Sequence, residues 1–198
     1  MSKGEETRAA VLDEALRMSS AVGFTGLTIG VLADRSGMSK SGLFGHFRSK
    51  EQLQLAVLDR ASDLFAQVVV QPALKLPRGE VRLRELFDRK LRWDGGDLAL
   101  PGGCFFTRIT PELSDEPPGP VRDRLVRSQR DWLDVIATVF RSGISEGQFS
   151  PDADPVQFAH DLHGLALAYH DAARLMGDPK AEQRAWFAFE ALLRPVRL

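Results

Sequence analysis

Apolar residues recur along this chain at intervals of three and four, the period of a helix with one buried face, and no stretch alternates as a half-buried strand does. Val11, Leu12, Ala15, Leu16 and Met18 mark the first such face, within residues 7–22, and Gly23 ends it. Thr28 is placed to cap a short helix that closes near Ser36, and Gly37 supplies a tight turn before a third short helix beginning at Ser39. Ser49 and Gln52 form a capping box that opens a longer helix with Leu53, Val57, Leu58, Ala61, Leu64, Phe65 and Val68 on its buried side. Pro72 is expected to stop it.

Further helices are predicted over 81–93, 104–113, 120–146, 155–176 and 180–193, separated by loops rich in Gly and Pro. The expected fold is all-α with about nine helices: a three-helix head over residues 1–50 and a larger helical domain over 51–198.

Composition narrows the class. With 43% hydrophobic and 27% charged residues the chain has the makings of an ordinary core. No apolar run is long enough for a membrane span and the polar opening MSKGEETR lacks a signal-peptide core, so a cytoplasmic protein with no membrane partner is expected. A single cysteine, Cys104, excludes an internal disulfide.

The net charge of −1 is unevenly spread. Residues 1–50 hold seven Lys and Arg against five Asp and Glu, a balance of +2, which leaves −3 for the remainder. Between Arg35 and Lys50 there are four basic residues and no acid, where a phosphate-facing surface is expected.

The informative segment is LTIGVLADRSGMSKSGLFGHFRSKEQL, residues 27–53. A helix-turn-helix needs a small residue on its first helix, a glycine in the turn and an apolar anchor beneath the second helix. Ala33, Gly37 and Leu43 supply these. Ile29, Leu32, Met38 and Phe47 can face the core, leaving Lys40, Ser41, Gly42 and Phe44 outward. Residues 7–60, through the turn, the LFGHF run and SKEQL, resemble the tetracycline-repressor-like family of transcriptional regulators, and the GGCFF and PGPVRD segments resemble one branch of it.

The resemblance implies a homodimer that binds a palindromic double-stranded operator, most often as a repressor, and is released by a small-molecule effector. It places Lys40 and Ser41 at the groove and Thr28, Phe44, His46 and Lys50 near the phosphates. Thr28 and Ser39 also stand at predicted helix N-termini, which favour anions. Phe44 replaces the family's usual tyrosine and cannot donate to a phosphate. Gly30 lies inside the second helix with no local reason in the sequence.

The large domain offers an aromatic set to line an effector pocket: Phe87, Trp93, Phe105, Phe106, Trp132, Ile136 and Phe140, with Cys104 and His163 beside them. The same residues also suit an ordinary core. His160, His163 and His170 share one helix, but no second helix is seen to complete a metal site, so neither metal nor cofactor is expected. The resemblance puts the dimer seam on the last two helices, with Leu162, Leu165, Ala166, Tyr169, Ala173, Trp186, Phe189 and Leu193 as candidates.

Two other classes compete: a DNA binder with no effector, and a thiol enzyme built on Cys104 and a distant histidine. The chain has no Walker loop, GxGxxG, HExxH or GxSxG motif, so no enzyme is expected.

Overall fold

The computed structural model describes residues 3–98 and 100–198, and every regular element in them is helical. In chain order these are α1 Lys3–Val22, α2 Ile29–Ser36, α3 Lys40–Phe47, α4 Lys50–Phe65, α5 Gln71–Leu74, α6 Glu80–Gly95, α7 Phe105–Leu113, α8 Pro120–Ser145, α9 Pro155–His170 and α10 Ala181–Leu193. A π turn, Ala66–Val70, joins α4 to α5 without a break. Counted as one rod, 50–74 gives the nine helices expected. Among the described residues no helix is long and apolar enough to cross a membrane.

Two compact units share the chain, along lines different from the expected division at residue 50. The first takes residues 1–64 and 100–128, the second 65–99 and 129–198. Each is interrupted in sequence, because the chain leaves the first unit, returns to it and leaves again.

In the first unit α1 buries the apolar stripe read from its sequence: Val11, Leu12, Ala15, Leu16 and Met18 are all 7% exposed or less. Gly23, at φ 73°, reverses the chain after it. The face is covered partly by α2 and partly by α7, a segment far downstream in sequence. Phe24 meets Phe105 edge-on at 5.5 Å, and the Gly102 N–H donates to Ser20 Oγ. A side chain at Gly102 would collide with the Ser20 backbone, so only glycine allows this approach.

The Glu112 carboxylate closes the α1–α2 turn. It accepts from the Phe24 N–H at 3.1 Å and from the Thr25 N–H and hydroxyl at 2.7 Å each. Arg124 ties α8 to α4 in the same unit, donating to Asp59 at 2.7 Å and to the hydroxyls of Ser62 and Ser128.

The second unit is held by aromatic packing. Phe65 meets Trp93 and Trp132 edge-on, Phe87 stacks on Phe189 at 4.6 Å, and Phe140 lies between Phe149 and Phe158. Lys90 and Asp94, one turn apart on α6, form a buried ion pair at 2.5 Å. Arg197 binds Glu80 through two nitrogens and reaches Glu190, which fastens the chain end to α6 and α10.

Pro72 does not end its helix as expected. The ring removes an N–H and crowds the carbonyl four residues back, at Val68. The π turn widens the backbone there, and the Val68 carbonyl accepts instead from Arg89 at 2.9 Å. The helix therefore runs to Leu74.

Asp94→Ala removes the buried carboxylate that accepts from Lys90 and is expected to destabilise the protein by roughly 3–5 kcal/mol in urea unfolding. Burial, followed by the charges of Lys90 and His160, pushes His163 down to about 4 from its ordinary 6.5. The unfolded chain takes up a proton near pH 6.5 that the folded chain accepts only near 4. Stability is thus full above pH 6.5 and falls as the pH drops from 6.5 towards 4. Thermal melts at pH 7.5 and pH 5 are expected to show a smaller drop for His163→Leu than for the parent.

Candidate nucleic-acid interface

The helices α2 and α3 hold eight residues each, too few to be stable alone. Caps and burial fix them. Thr28 Oγ1 accepts from the Val31 N–H at 3.2 Å, and Ser39 Oγ accepts from the Gly42 N–H at 3.1 Å. Gly37 sits at φ 67°, the left-handed conformation that ends α2. Leu32, Ala33, Leu43 and Phe47 are buried as the turn pattern requires, while Ile29 and Met38 are only partly covered.

With one face of α3 buried, its opposite face is exposed. Lys40, Ser41 and Phe44 all point into solvent, and Phe44, a large apolar ring, is 51% exposed. Lys50, at the start of α4, is exposed too, and His46 is half-buried. The structure thus brings the expected set of Thr28, Ser39, Lys40, Ser41, Gly42, Phe44, His46 and Lys50 onto the α2–α3 region and the first residue of α4.

Their chemistry is not uniform. Ser39 Oγ serves as a helix cap and lies 3.1 Å from Ser41 Oγ, so these two hydroxyls already engage each other. Thr28 uses a lone pair for its cap and keeps its O–H proton to donate. The stem of Lys40 crosses Gly30, where an added Cβ would meet the lysine carbon at an ordinary 3.6 Å. Gly30 is therefore not forced by a close backbone approach.

Sequence reasoning counted Arg48 in the basic run 35–50 without naming a role for it, and missed Arg8. Arg48 caps α3 at φ 43°, the only non-glycine residue with positive φ among those described. The guanidinium of Arg8, on α1, lies over the Phe47 ring at 5.3 Å. Arg8 stood in the sequence as an isolated basic residue, and the approach of α1 to the end of α3 left no local signal.

The residues expected to line an effector pocket separate between the units. Cys104, Phe105 and Phe106 are buried in the first unit. Trp93 and Trp132 share Phe65, Phe87 packs with Trp186 and Phe189, Phe140 packs with Phe149 and Phe158, and Ile136 is fully buried in the second. In that unit Trp93 Nε1, Trp132 Nε1, His163 Nδ1 and His170 Nδ1 are buried without a hydrogen-bond partner. Among the described residues no group of three His, Cys, Asp or Glu is arranged to hold a metal ion.

Four of the eight residues expected at a dimer seam belong to the core of the chain itself. Leu162, Ala166, Phe189 and Leu193 are 2% exposed or less, because α9 and α10 pack on each other within the chain. Leu165, Tyr169, Ala173 and Trp186 are partly exposed, and the large apolar residues that α9, α10 and the segment between them expose most are Val156, Leu167, Leu175, Met176 and Phe187.

A short capped helix pair with an exposed polar and cationic second helix defines a helix-turn-helix head. A profile for bacterial regulatory proteins of the tetR family matches residues 11–57, and one for the tetracyclin repressor-like C-terminal domain matches residues 79–189. The chain belongs to this family of regulators. It is 23% identical over 160 residues to the HTH-type transcriptional regulator SrpR of Pseudomonas putida, covering 77% of this chain and 68% of that protein. Its fold is similar to that of a TetR transcriptional regulator from Chloroflexus aurantiacus, with a TM-score of 0.86 and 26% identity across the whole of both chains. It is also similar to AibR, solved with isovaleryl coenzyme A and operator DNA, with a TM-score of 0.72 and 22% identity over 93% of this chain and 97% of that one.

Removing the α3 cap with Ser39→Ala is expected to cost about 1 kcal/mol in denaturant unfolding. Ser41→Ala, which removes no cap, is expected to leave stability nearly unchanged.

Proposed function

We propose that this regulator binds a palindromic operator as a homodimer, represses transcription from it, and is released by a small-molecule effector held in the second unit. The observation that carries the reading is the α3 helix, whose buried Leu43 and Phe47 turn Lys40, Ser41 and Phe44 outward together. Lys40 and Ser41 reach base edges in the groove. Thr28, Phe44, His46 and Lys50 lie along the backbone, with Phe44 packed on sugar.

One eight-residue helix reads few base pairs, and a two-fold dimer doubles the site. The exposed Phe187, Leu175 and Met176, at 74%, 82% and 68%, support a second copy against α9 and α10. The effector is an apolar or aromatic molecule that also carries hydrogen-bonding atoms. The unpartnered indole and imidazole nitrogens of Trp93, Trp132, His163 and His170 support that chemistry. AibR, solved with both isovaleryl coenzyme A and operator DNA, supports a protein of this fold having the two kinds of ligand. The helical run 50–74 begins in the head unit and ends in the second, and it carries the effector's influence to the spacing of the two heads.

The test is fluorescence anisotropy on a duplex selected from a random pool by the protein itself, with point variants of the selected sequence. A palindrome is expected. Phe44→Tyr adds one donor towards phosphate, so affinity is expected to rise by up to about tenfold per half-site, alike for all sequences. Lys40→Ala is expected to weaken binding and alter base preference. Selection that enriches no sequence, with Lys40→Ala indistinguishable from the parent, would refute the reading.

A further inference from the structure

We infer that a pocket at the foot of the recognition helix seats one phosphodiester of the DNA backbone, held by Arg8 and Arg48. This rests on the reading of the head as a DNA-binding unit. The pocket has a volume of about 280 Å³ and is lined by Arg8, His46, Phe47, Arg48 and Gln52.

The pairing of charges singles it out. Residues 1–64 contain five arginines. Arg17 and Arg35 are paired with Glu14, and Arg60 with Asp13. The two arginines with no carboxylate partner among the described residues are Arg8 and Arg48, and they line the same pocket. The acid nearest in sequence to Arg48, Glu51, lines a different pocket. Two guanidinium groups lining one pocket repel each other, and an anion in it lowers that repulsion.

Each arginine is also oriented. Arg8 lies over the face of the buried Phe47 ring, which holds its planar fork in one attitude. Arg48 adopts φ 43°, a conformation that a side-chain-bearing residue resists and glycine adopts more readily. Arginine at that position points to a use for its charge. A tetrahedral phosphate oxygen pair fits the arginine fork, and Gln52 and His46 add further donors. The site abuts α3, whose outer face carries Lys40 and Ser41, so the phosphate seated there belongs to the strand alongside the groove that α3 enters.

The experiment measures binding of a fluorescein-labelled mixed-sequence duplex across a salt series for the parent, Arg8→Ala, Arg48→Gly and, as a control, Arg17→Ala. Arg48→Gly keeps the turn, and thermal melts of each variant separate lost charge from lost fold. Arg8→Ala and Arg48→Gly are each expected to weaken binding about tenfold and to reduce the slope of log affinity against log salt by roughly 0.9 for each phosphate left unneutralised. Arg17→Ala is expected to match the parent. If the parent binds and both pocket variants keep its affinity and slope, the inference is overturned while the DNA-binding reading stands. If the parent binds no duplex, that reading falls and the inference with it. A further arm compares melting in potassium phosphate and in potassium chloride at equal ionic strength. Stabilisation by phosphate that Arg8→Ala abolishes, with duplex binding unchanged, marks a seat for a free anion and also overturns the inference.

Discussion

Helices of eight residues do not hold themselves, and the helix-turn-helix of this protein consists of two of them. What holds α3 is a cap at each end and burial of its own inner face. Ser39 caps its start, Arg48 closes its end, and Leu43 and Phe47 anchor its inner face. The cover they anchor to is itself assembled from distant sequence. α1 lies under α2 on one side and α7 on the other, and the Glu112 carboxylate fixes the turn between α1 and α2. The placement of the α2–α3 pair therefore depends on a polar clamp far from it in sequence.

The short-range part of this was legible. The caps Thr28 and Ser39, the turn glycine at 37 and the buried Leu43 follow from local spacing, and the structure places them so. What escaped was long-range. Nothing within a few residues of Glu112 shows that it serves backbone groups at 24 and 25, and nothing near Arg8 shows that it reaches Phe47. The apolar period of 155–170 marked a buried face correctly but did not say which neighbour would bury it, so Leu162 and Ala166, assigned to a partner, belong to the chain's own core, while Leu165 and Tyr169 stay partly exposed.

Pro72 illustrates a different failure. Local rules say that proline ends a helix, and the local rule concerns a carbonyl left without a donor. Arg89, on another helix, supplies the donor, and the rule is overridden. The aromatic residues of the second half teach the same lesson. Their number suggested one lining, yet they pair into separate clusters, and the informative atoms are the few polar ones among them that stay unpaired.

The return of residues 100–128 to the first unit has a consequence for anyone who would transplant this head. A chimera joined at residue 50 carries the whole recognition motif but leaves Phe105, Gly102 and Glu112 behind. Phe24 then loses its aromatic neighbour, and the turn at 24 and 25 loses its acceptor. The exchangeable module is discontinuous, and a donor scaffold must bring an equivalent of α7 or receive this one along with the head.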